Sequence, residues 1–166
     1  DGWHRAGEGA WFDGLRMTVL NDPNARQTAI VTGEVDAVTD VDLKTADLLK
    51  RAPGVILDDV PSGTHITLPM MCDTPPFDDV NVRLAFKHAI GRQEIVDKIL
   101  FGRGTVGNDH PISPTMPYFA DLPQREQDLD RARFHLREAG HDRLSVEIAV
   151  NDTLLSGATN MCSLFA

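Results

Sequence analysis

Apolar residues recur along this chain in two rhythms, a period of two in short runs and a period near 3.6 in longer ones, and the rhythms take turns. Leu15, Met17 and Val19 alternate with Arg16 and Thr18, the pattern of a half-buried strand that ends at the turn signal Asn21-Asp22-Pro23-Asn24. Asp22 suits the cap of a following helix and Pro23 its first position, with Ala25, Ala29 and Ile30 as the apolar stripe and Gly33 as the stop. Val35 to Val38 reads as a short strand. Asp40 is then expected to cap a second helix carrying Val41, Ala46, Leu48 and Leu49, up to the stop Ala52-Pro53-Gly54. Val55 to Val60 and His65 to Cys72 are two more strand candidates, separated by the turn Pro61-Ser62-Gly63. Pro69 has no amide to donate, so the second of these runs belongs at an edge, at a bulge or where a strand changes sheets.

After Pro75-Pro76-Phe77 either Asp78 or Asp79 can cap a helix with Val82, Ala85, Phe86, Ala89 and Ile90 on one face. A further helix runs from Arg92 to about Leu100, with Ile95, Val96, Ile99 and Leu100 inward. Residues 102–125 hold Pro111, Pro114, Pro117 and Pro123 and few regular signals, and long loops of this kind wrap a neighbouring surface or serve a function. Asp128 opens a helix through Ala132, Leu136 and Ala139 to Gly140, Leu144 to Val150 alternates as a strand, and Ala158, Met161, Cys162 and Phe165 begin another helical stripe. Residues 1–13, with Trp3, Trp11 and Phe12, suit a loop packed on something larger. Strands alternating with helices predict an α/β, mixed α+β architecture.

Composition narrows the partners. A net charge of -9 over 166 residues repels nucleic-acid and anionic-membrane phosphates on average, and no run reaches the ~20 apolar residues of a membrane span. Cys72 and Cys162 stand far apart, without the spacing of a zinc site, and say little about compartment. The chain starts at Asp1 without an export signal and stops at Ala166 within an apolar helical pattern, so it reads as an internal piece of a longer polypeptide.

Catalytic motifs are absent from the chain's local patterns. Gly102-Arg103-Gly104-Thr105-Val106-Gly107 spells a dinucleotide fingerprint, but that motif needs a strand before it and a helix after it, and here a helix precedes and Asn108-Asp109-His110-Pro111 follows. A helix-ending turn explains its glycines better. Of the histidines, His4, His65, His88, His110, His135 and His141, none forms a close pair at metal-ligand spacing. His88 and His135 are expected at the boundary or surface of their helices. No nucleophile elbow or phosphate loop occurs, no motif asks for a cofactor, and Asp78, Asp79, Asp128 and Asp130 fall where helix capping accounts for them. Asn151-Asp152-Thr153 is a formal glycosylation sequon.

The run from Pro75 to Val96, PPFDDVNVRLAFKHAIGRQEIV, resembles the PPFDDVRVRQALAYAIDREEIV signature of the peptide/nickel class of ABC-transporter solute-binding proteins. Gly33-Glu34-Val35-Asp36 is similar to the family's SGEVD, Asn108 to Pro114 to its loop around PISP, and Asp130 to Gly140 to its DPEKAKALLAEAG helix. The resemblance implies a type II periplasmic-binding fold whose two lobes close on a peptide or similar small solute and deliver it to a membrane permease, outside the cytoplasm and without membrane insertion. Residues 1–68 would then belong to the first lobe, 69–74 to the crossing between lobes, and 75–166 to the second. On that analogy the crossing contributes cleft wall, which makes His65, Thr67 and Met71 the candidate ligand contacts, with no metal and no catalytic residue. Two positions depart from the family pattern. Met71 stands where an asparagine is frequent, and Gly91 stands where an aspartate usually caps the next helix. The competing readings are a hydrolase assembled from distant residues and a sensory or chaperone-like relative of the same fold.

Overall fold

The computed structural model describes residues 12–60, 63–151 and 157–165. The opening loop through Trp11, the Pro61-Ser62 part of the expected turn and the Asp152-Thr153 part of the sequon lie outside them.

Six helices form among the described residues: α1 (Pro23–Val31), α2 (Ala46–Leu49), α3 (Val80–Ala89), α4 (Arg92–Lys98), α5 (Leu129–Glu138) and α6 (Ala158–Phe165). Three of them start where a sequence cap was expected. The Asp22 carboxylate accepts the Ala25 amide at 2.8 Å, Asp79 accepts the Asn81 amide at 2.6 Å, and Asp128 accepts the Arg131 amide at 2.8 Å. Each satisfies a helix-terminal donor that would otherwise lack a partner. Gly33 and Gly140 end α1 and α5 with φ of 74° and 81°, a region open to glycine without steric cost. Gly102 does the same just beyond α4, at φ 74°, and its amide reaches back to the Val96 carbonyl at 2.9 Å. The helix-ending turn is therefore what this glycine provides.

Two helical expectations need correction. Asp40 does not cap α2: it sits at φ 55°, α2 begins six residues later behind Thr45, and the intervening turn is closed by the Asp42 side chain on the Lys44 amide at 3.0 Å. An Asp side chain that bonds its own neighbouring backbone favours a turn over another helical turn. His88 is not at the surface but 5% exposed, the one buried polar residue among those described.

The mixed α/β expectation is not met among the described residues, where every regular element is a helix. The stretches 15–20, 35–38, 55–60, 65–72 and 144–150 keep their alternating sequences but form no ladder. A helix closes its hydrogen bonds within itself, whereas a strand needs a neighbour to receive them. Some of their apolar side chains stay in water accordingly: Leu15, Met17 and Val19 are each 85% exposed and Ile56 is 92% exposed, while Val35, Leu57 and Val146 are half-buried.

The core lies on the facing sides of α3 and α5, which pack against each other. Val82, Ala85 and His88 recur at helical spacing on the buried side of α3, and Ala132 is the buried residue of α5. Phe86 meets Phe77 edge-on with centroids 5.4 Å apart and Phe165 of α6 at 5.9 Å, so α6 closes one end of the cluster, with Ala158 and Met161 buried. Ala29 of α1 and Ala46 and Leu49 of α2 are the buried residues of the amino-terminal part. Arg103, beyond α4, ties the two parts together through Asp47 at 2.8 Å and Asp59 at 2.6 Å.

Candidate functional site

The candidate contacts lie in the stretch leading to Pro75-Pro76, and all three are exposed. Met71 is 66% exposed, and the His65 ring has its Nδ1 3.2 Å from the Gly63 carbonyl oxygen, a local contact two residues away. Residues 65, 67 and 71 would share one face of a pleated strand, because side chains alternate with period two. Among the described residues the two best-formed hollows hold only about 20 Å³ and about 10 Å³, room for a single water at most, against the ~300 Å³ and more of a small-molecule pocket. The first lies between Lys44 and Asn160, the second between α1 and Val41, and neither includes His65, Thr67 or Met71.

The most organised polar assembly is elsewhere, at the corner between α3 and α4. The Asp109 carboxylate receives Arg92 and, at 2.6 Å, the Arg125 Nε, with the Lys87 ammonium 3.9 Å away. Burial would raise the carboxyl's pKa, but the Arg125 hydrogen bond and the charges of Arg92 and Lys87 together outweigh it and hold Asp109 below the ordinary aspartate value. Arg125 also places Nη1 2.9 Å from the His88 Nε2, and the His88 ring stacks on His135 of α5 with centroids 5.7 Å apart and planes 9° apart. The His135 Nδ1 lies 3.0 Å from the Asn81 Oδ1.

Backbone groups complete this clasp. Asn108 donates to the carbonyls of Leu122 and Pro123 and accepts the Arg125 amide at 2.9 Å, and Gln124 donates to the Gly107 carbonyl at 3.1 Å. Arg92 donates to the carbonyls of Lys87 and Arg125, Gln127 to that of Ala89, and the Asp128 amide to that of His88. The two ends of the proline-rich loop are thereby fastened to each other and to the α3–α4 corner. Gly91 has a place in this packing: a Cβ there would come 3.3 Å from the Gln127 amide nitrogen. The departure from aspartate thus goes with a close approach of Gln127, and α4 starts without a side-chain cap.

Sequence reasoning missed this assembly. Asp109 and Arg125 are 16 residues apart and Arg125 and His88 are 37 apart, and no local pattern links either pair. The one available signal was an Asn-Asp pair inside a loop flanked by arginine-bearing helices. Asp78 and Asp79, in contrast, do the local work read from the sequence: Asp79 caps α3, and Arg83 donates to the Phe77 and Asp78 carbonyls. Cys72 and Cys162 are free thiols. No cluster of metal-ligating side chains occurs among the described residues, and none of their helices is long and apolar enough to cross a membrane.

The corner is tied by paired loop ends, and its first helix is entered through Pro75-Pro76-Phe77-Asp78-Asp79. The family model of the bacterial extracellular solute-binding proteins, family 5, middle part, matches residues 1–161, and the chain belongs to that family. It is similar to heme-binding protein A of Haemophilus influenzae, 25% identical over 131 residues that make up 78% of this chain and 24% of the relative. It is also similar to a probable peptide ABC transporter periplasmic-binding protein of Sinorhizobium fredii, 27% identical over 104 residues, 62% of this chain and 18% of that one. The chain thus spans about a quarter or less of the length of these relatives.

Proposed function

We propose that this chain forms part of an extracytoplasmic solute-binding component of an ABC importer, which captures a peptide or similar small solute between two lobes and hands it to a membrane permease without altering it. The observation that carries the reading is the family match over residues 1–161. The exposed alternating stretches support the two-lobed, mixed α/β architecture. In this reading they are strands whose neighbouring strands come from other parts of the polypeptide. In this reading residues 1–68 build part of the first lobe, 69–74 cross between lobes, and 75–166 build part of the second.

His65, Thr67 and Met71 then line the cleft from the crossing segment, with the opposite wall contributed by the other lobe. Their exposure fits a site completed only when the lobes face each other. A guest that touches both lobes binds the closed form better than the open one, and that difference in affinity is what draws them together.

The test is thermal unfolding of the intact polypeptide against short peptides of varied length, with heme as a second arm because one relative is named for binding it. A guest present at about a hundredfold its Kd stabilises the native state by about 2.7 kcal/mol, a rise of a few degrees in Tm. Stabilisation by peptides supports the reading as stated, and stabilisation by heme alone replaces the peptide as the guest. Hydrolysis of the peptides, or labelling of a serine by a fluorophosphonate, would remove the binding-only role.

A further inference from the structure

The clasp at the α3–α4 corner contains a contact whose chemistry depends on one proton. A guanidinium has only N–H groups to offer, so the Arg125 Nη1 donates and the His88 Nε2, 2.9 Å away, must be the unprotonated acceptor. The proton of the neutral ring is then on Nδ1, and Nδ1 is buried with no hydrogen-bond partner. His88 is therefore held in a neutral form whose second proton would have to enter between the ring and a fixed cation.

The surroundings oppose that proton from several sides. Arg125 faces the ring from the proline-rich loop, and Arg131 and the stacked His135 face it from α5. Lys87 precedes it on α3, and Arg92 approaches from α4 by donating to the Lys87 and Arg125 carbonyls. Asp128, at the start of α5, acts in the other direction, and Asp109 stands beyond Arg125 as that residue's counter-ion.

We propose that His88 and Arg125 form an acid-sensitive latch, closed while the imidazole is neutral and loosened when it gains a proton, that fastens residues 107–127 to the α3–α4 corner. Protonation replaces a donor–acceptor pair with two opposed donors. Arg125 then withdraws from the ring, and it is the residue whose amide holds Asn108 and whose carbonyl receives Arg92. The loop ends lose their common fastening as it moves.

Burial of the ring, followed by the charge of Arg125, lowers the His88 pKa below its ordinary value of 6.5. The sign is that of a depressed histidine. The unfolded chain binds its proton first on acidification, so the contribution is complete above pH 6.5 and declines below it until the folded ring titrates. Asp109, held below 3.8, stays ionised through that window and does not confound it.

The latch predicts three linked results in the intact polypeptide. By NMR, His88 titrates below 6.5, and amide-exchange protection over residues 107–127, corrected for intrinsic exchange, drops about tenfold between about pH 7.5 and about pH 5. H88Q, whose amide oxygen can still accept from Arg125 but does not titrate, keeps that protection at the lower pH. R125Q, which removes the fixed cation, moves the His88 midpoint up toward 6.5, so the proposal stays testable if H88Q fails to fold. Unchanged loop protection once His88 is charged would overturn it, as would acid opening in H88Q or an unmoved midpoint in R125Q.

Discussion

The α3–α5 cluster and the alternating stretches both carry apolar faces, but only the cluster fully buries residues of its own. Val82 on α3 is fully buried, while Met17 and Ile56, of comparable or greater hydrophobicity, are almost fully exposed. The helices closed their own hydrogen bonds and needed only one another to hide a face. The extended stretches need partner backbones before their side chains have anything to pack on. The chain therefore carries a helical corner that covers its own apolar face and extended stretches whose exposed apolar side chains the proposed two-lobed reading assigns to sheets.

The largest effect should come from breaking the helical side. V82D places a carboxylate where no water reaches and is expected to destabilise by more than about 3 kcal/mol, read as a fall in Tm and loss of far-UV helical signal. An intact Tm would mean that the α3–α5 face is not the core.

The comparison itself is sharpened by M17D and I56D. In the chain alone each should change stability by less than about 0.5 kcal/mol, because the side chain is already in water. On the proposed two-lobed reading each should cost about 2 to 3 kcal/mol in denaturant unfolding of the longer polypeptide, because that reading buries these stretches as strands. Equal effects in the two settings would remove the idea that these stretches await partner strands.

Smaller effects separate local from long-range fastening. D128A removes the α5 cap and should cost about 1 kcal/mol, with D79A similar at α3. R103A should cost only about 0.5 kcal/mol, fading in high salt, because its partners Asp47 and Asp59 are largely exposed. A salt-independent loss above that of D128A would make Arg103 a structural tie between the two parts.

Residue order alone was enough for whatever depends on near neighbours. Asp22-Pro23, the Asp78-Asp79 pair and Asp128 announced three helix starts, Gly33, Gly102 and Gly140 announced three stops, and the Pro75–Val96 run pointed to the family that the match over residues 1–161 establishes. These are interactions within three or four residues, written in residue order. Tertiary structure alone decided that His88 is buried and that Asp109 gathers Arg92 and Arg125. It also decided that the alternating stretches stay unpaired. Each depends on groups brought together across tens of residues, and periodicity records which face is apolar but not what will cover it.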